Sequence, residues 1–120
     1  MSNSEDPDAK IRGLYRIGHM DQELQEFESS LEYFNKVKAL DESFCSDIVN
    51  LRIAEVNYKL GNLPEAFEAL SVSEKTIRMK DKYMLHLLRG KCYDKQRKFE
   101  QAIDEYQSAV NSSRHLKHSN

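Results

Sequence analysis

The sequence predicts an all-α array of three helical hairpins, and three observations predict it. The first is a spacing. Gly18, Ala54 and Gly90 are small residues 36 positions apart, and Ser30, Ala66 and Ala102 repeat the pattern twelve residues on. The second is a recurrent apolar stripe at i, i+3, i+4 and i+7, with no sustained period-two alternation, which marks amphipathic helices rather than strands. The third is composition. A chain of 120 residues with 4 Gly and 2 Pro is too poor in turn formers for an all-β module or a low-complexity segment.

Six helices are expected, at about 9–23, 27–40, 45–60, 63–78, 81–96 and 99–113. The first carries Leu14, Ile17 and Gly18. The second carries Phe27, Ser30, Leu31, Phe34 and Val37. The third carries Ile53 and Ala54 and ends at the clearest break in the chain, LGNLPEA. There Gly61 suits a left-handed helix C-terminus, Asn62 suits a cap, and Pro64 falls in a first turn where a missing N–H costs little. The fourth helix repeats the second through Leu63, Ala66, Phe67, Leu70 and Ser73. The fifth is read from LHLLRGKCYDKQ. The sixth repeats the stripe through Phe99, Ala102, Ile103, Tyr106, Ala109 and Val110. The small columns have a physical purpose: two helices that approach closely cannot hold a large side chain at their crossing. Phe34, Leu70 and Tyr106 then fill the space beside each crossing. One hairpin cannot bury both its faces, so hairpins must stack.

Charge and length narrow the function. The formal net charge is −2, with no pull toward nucleic acid or an anionic membrane. No apolar run approaches the roughly 20 residues of a spanning helix. The start, MSNSEDPDAK, is polar and acidic, unlike a signal peptide. Cys45 and Cys92 are far apart, which argues against a disulfide scaffold. These readings predict a cytoplasmic protein, with the nucleus as the alternative. They divide the chain into an acidic flexible N-terminus at 1–8, a three-repeat domain at 9–113 (about 9–44, 45–80 and 81–113), and a flexible basic tail at 114–120.

With these columns in place the chain resembles the tetratricopeptide repeat family. The third unit carries the resemblance best, through Gly90-Lys-Cys-Tyr93, Phe99-Glu-Gln-Ala102-Ile103, Tyr106 and Ala109. The second matches through Ile53, Ala54, Gly61, Ala66, Leu70 and Ser73. The first matches through Leu14, Ile17, Gly18, Ser30, Phe34 and Val37. There are departures: a period of 36 rather than 34, Asp21 and Asn57 where the third unit has Tyr93, and His86 and Arg89 in columns that are usually apolar. The resemblance implies a right-handed superhelix and a non-catalytic scaffold or adaptor that binds a partner protein or peptide in a concave groove. By register, that groove takes Arg12, Tyr15, Arg16 and His19 from the first unit. The second gives Leu51, Arg52, Glu55, Tyr58 and Lys59, and the third Met84, Leu87, Lys91 and Lys95. The basic side chains suggest a partner of acidic character.

One branch of the family holds chaperone C-terminal tails in a carboxylate clamp. The clamp positions here hold Tyr15, His19, Arg52, Met84 and Leu88, none of them the required residue. An RNA-binding helical repeat is a further rival, against which stand the acidic balance and the absence of a repeated base-reading pair. A repeat array normally ends in a polar cap, and only SSRHLKHSN follows the last hairpin. Self-assembly as a homo-oligomer through the uncapped C-terminal hairpin is therefore the alternative function.

No enzyme, cofactor or metal is expected. His115 and His118 have H-x-x-H spacing but no further ligand beside them. His19 lacks a nucleophile, and His86 reads as a packing or partner-facing imidazole. Cys92 reads as a small core residue, and Cys45 as an accessible turn residue.

Overall fold

The computed structural model describes the backbone of residues 6–118 and the side chains of residues 6–114. Six α-helices run in chain order: α1 Pro7–Glu23, α2 Phe27–Leu40, α3 Ser46–Leu60, α4 Leu63–Glu74, α5 Lys82–Lys95 and α6 Phe99–His118. They pair as the hairpins α1/α2, α3/α4 and α5/α6, and successive hairpins meet where α3 packs on α2 and α5 packs on α4. The first helices touch one another more sparsely, at α1/α3 and α3/α5, which leaves a groove along that side. Stacking in one direction elongates the molecule to 54 × 37 × 23 Å. Its radius of gyration, 15.5 Å, exceeds the roughly 13.6 Å of a compact domain of this length.

The small columns sit where the helices cross. A Cβ added at Gly18 would come within 2.9 Å of the Phe34 ring, and one at Gly90 within 2.5 Å of the Tyr106 ring. Both contacts are below any ordinary approach, so neither position has room for a side chain while its ring stays in place. Ser30 adds a hydrogen bond, its hydroxyl donating to the Gly18 carbonyl at 2.7 Å. Ala54, Ala66, Phe34, Val37, Leu70, Val49, Val56, Leu85 and Cys92 are all fully buried.

The three hairpin turns share one backbone. Gln25, Gly61 and Arg97 stand 36 residues apart and all adopt positive φ, at 65°, 84° and 63°. In each turn the next residue's N–H reaches back to the helical carbonyl five residues earlier: Glu26 to Asp21, Asn62 to Asn57, Lys98 to Tyr93, at 2.8–2.9 Å. The positive-φ residue itself bonds to Gln22, Tyr58 or Asp94. This is the Schellman closure of a helix end. Gly61 behaves as the sequence predicts. Asn62 does not: its side chain makes no capping bond to α4 and instead donates to Asn57 Oδ1 at 3.3 Å.

Other boundaries shift for local reasons. α1 begins two residues earlier than predicted because Asp6 accepts hydrogen bonds from the N–H groups of Asp8 and Ala9, at 3.0 and 3.4 Å, ahead of Pro7. Residues 7 and 8 of the predicted N-terminal segment are thus helical, and residues 1–5 lie outside the described residues. α4 ends at Glu74 rather than 78, and a 3₁₀ turn, Met79–Asp81, leads into α5. α6 continues to His118, past the predicted end at 113 and into the segment read as a tail.

Candidate functional site

The groove has a floor before it has a rim. Arg52 of α3 donates from Nε to the Tyr15 hydroxyl at 3.4 Å and from Nη1 to Glu55 Oε1 at 3.3 Å. The same Glu55 oxygen accepts from Gln22 Nε2 at 2.8 Å. Tyr15, Arg52, Glu55 and Gln22 therefore tie α1 to α3 across the groove. Burial works against the Arg52 charge, but the Tyr15 hydroxyl and the Glu55 carboxylate outweigh it and raise its pKa. The Tyr15 ring also leans on buried Phe34, with centroids 5.6 Å apart. It stacks on His19 at 6.3 Å.

Two recesses open along this floor. One, of about 380 Å³, brings together Arg12, Tyr15, Arg16 and His19 with Met20, Phe44 and Cys45. The other, of about 180 Å³, lies between α3 and α5 and is lined by Gln22, Glu55, Tyr58, Lys59, Met84, Leu87, Leu88 and Lys91. Lys59 and Lys91 are exposed at its edge, and neither has an ion-pair partner among the described residues. Lys95 instead places its ammonium 5.2 Å from the centre of the Tyr58 ring. Burial raises the Tyr58 pKa. Gln22 Oε1 is buried without a hydrogen-bond partner among the described residues.

Most of the residues read from the sequence as groove residues do line these recesses; the exceptions are Lys95, which lies over the Tyr58 ring instead, Leu51 and Arg52. Leu51 is only 3% exposed and belongs to the core, because the α3 stripe turns that position inward. Arg52 lies in the groove but is committed to Tyr15 and Glu55, so it is part of the floor and not a free cation. The sequence reading missed Gln22, which continues the helical spacing from Arg12, Tyr15 and His19. It also missed Phe44 and Cys45, loop residues that no periodicity could have placed.

The other candidates resolve individually. His86 Nδ1 lies 2.9 Å from Glu105 Oε1, half-buried inside the third hairpin. Arg89 joins the same carboxylate at 3.6 Å and donates to Glu74 of α4 at 2.6 Å. The two polar departures from the repeat pattern are thus one ion-pair cluster, and Arg89 ties the third hairpin to the second. Burial pushes the Cys92 thiol up to about 11, with Arg89 opposing it, so the thiol stays protonated near neutral pH. Cys45 is exposed. The side chains of His115 and His118 lie outside the described residues. No group of three or more His, Cys, Asp or Glu among the described residues is arranged to hold a metal ion. No described helix is long and apolar enough to cross a membrane.

The architecture defines a helical-hairpin repeat protein with an open groove along its first helices. Sequence models of the tetratricopeptide repeat match residues 11–44 and 85–113, the first and third units. The chain belongs to the tetratricopeptide repeat family. A search of curated proteins returned no similar sequence. The middle hairpin lies between the matched segments and packs like its neighbours, with Ala54, Ala66 and Leu70 fully buried. Repeats of this family are generally protein–protein interaction modules rather than enzymes.

Proposed function

We propose that the chain is a non-catalytic adaptor that holds an acidic segment of a partner protein in the groove between α1, α3 and α5. The recess between α3 and α5 carries the proposal. It pairs apolar lining from Tyr58, Met84, Leu87 and Leu88 with two exposed lysines that have no ion-pair partner among the described residues. A buried apolar side chain of the segment would supply area, and a carboxylate beside it would meet Lys59 or Lys91. The unpartnered Gln22 oxygen gives an N–H of the segment a place to bond. Arg12 and Arg16, likewise without ion pairs among the described residues, extend the same charge along α1.

The test is affinity capture from a cell extract, read by mass spectrometry, with wild type beside the Lys59→Glu/Lys91→Glu variant. Both positions are exposed, so circular dichroism should show the fold intact. A partner retained by wild type and lost by the variant, with binding that weakens as salt rises, supports the groove. A partner held equally by both would place the binding surface elsewhere. Reversing Arg52 is not a clean test, because it would dismantle the floor.

A further inference from the structure

The junction between hairpins repeats, and among the described residues it leaves one matching face uncovered on the first hairpin and one on the last. Inside the array, Val49 and Val56 of α3 and Leu85 and Cys92 of α5 are fully buried. Their counterparts in α1, 36 residues earlier, are Gly13 and Met20. Met20 is 53% exposed, and a Cβ on Gly13 would meet nothing within 4 Å. On the same side, Ile17 stands in the column of buried Ile53, and Leu24 lies open beyond it. At the other end, Phe99, Ile103 and Val110 of α6 are about half exposed. The earlier members of the Ile103 column, Leu31 and Phe67, are half-buried. Phe67 meets the Tyr93 ring of α5 at 5.0 Å, so the internal junctions show that a following first helix belongs on this face.

We propose that copies of this chain stack head to tail, the α1 face of one (Ile17, Met20, Leu24) lying on the α6 face of another (Phe99, Ile103, Val110). The occupant is a second copy because the chain carries both halves of the contact, with matched chemistry. In the second internal junction, two facing columns hold Glu74 and Arg89, an ion pair at 2.6 Å. Between copies the same two columns hold Val110 and Ile17. The first internal junction holds Lys38 and Ile53 in these columns and only the second an ion pair, whereas the two ends are both apolar, and burying them together is favourable. The two surfaces differ, so the contact is heterologous and adds copies without closing into a dimer. Met20 also edges the 380 Å³ recess, but none of these residues lines the recess between α3 and α5, so the contact stands independently of the observation that carries the adaptor proposal.

The test is sedimentation velocity and light scattering on the full chain across a wide concentration range. Wild type should show a weight-average mass that climbs past the dimer without a plateau. Val110→Glu or Ile17→Arg alone should weaken association by roughly tenfold or more, since each sets a charge against an apolar face. Both changes in one chain place a Glu opposite an Arg, as at Glu74 and Arg89, and should restore association. Circular dichroism on each variant separates lost contact from lost fold, and both positions are exposed. A chain that stays monomeric throughout would overturn the proposal and give the α6 face to a different helix. So would a mass that levels off at a dimer, or association that survives both single changes.

Discussion

Gln25 and Arg97 occupy a backbone position that disfavours them. The left-handed region costs a residue with a Cβ about 1–2 kcal/mol. Glycine avoids that cost but brings about 0.4–1 kcal/mol of extra freedom to the unfolded chain. Gln25→Gly should therefore stabilise the protein by up to about 1 kcal/mol, which is roughly 4 °C in Tm for a chain this long. Thermal melts check it, and an unchanged or lower Tm would mean that the Gln25 turn is not strained. Gly61→Ala should act in the opposite direction. The two cysteines make a second residue-scale test. Exposed Cys45 should react promptly with a thiol reagent near neutral pH. Cys92 should react only on unfolding, being fully buried with its pKa pushed up to about 11. Two prompt thiols per folded chain would contradict the burial of Cys92.

At the scale of an element, α5 is held to the second hairpin in part by Arg89. Its hydrogen bond to Glu74, opposed by partial burial, holds the Glu74 carboxyl below the usual glutamate value of 4.5. A carboxyl with a lowered folded pKa adds stability that is fully present above its unfolded pKa. That stability is lost as pH falls through the folded value. Glu74→Gln should thus lower the Tm at neutral pH, by a modest amount because Glu74 is nearly half exposed. The gap between variant and wild type should close as the pH drops below about 4. Melts of both proteins from pH 7 to 3 measure that gap, and one that does not narrow as the pH falls would show that the ion pair is not its origin. The cluster also accounts for what sequence reading found irregular. His86 and Arg89 depart from an apolar column because Glu105 and Glu74 meet them there.

For the whole molecule, what repeats was legible and what occurs once was not. Gly18, Ala54, Gly90 and their partner columns recur at a fixed offset, and they set the hairpins, the crossings and the side on which the groove lies. The turn column was legible only at Gly61, because Gln25 and Arg97 adopt the same geometry without the residue that announces it. Leu51 was misplaced because its apolar character suits a groove as well as a core, and only packing tells them apart. Arg52 was read as a free cation because its partners, Tyr15 and Glu55, are set by the approach of α1 to α3. That linkage has a further consequence. Gln22, Tyr15, Arg52 and Glu55 are ordered before any segment arrives, so the groove floor has little entropy left to lose. On the proposed adaptor reading, a segment that enters would bear nearly all of the ordering cost itself. Stiffening such a segment in its bound shape would then strengthen binding more than stiffening the receptor.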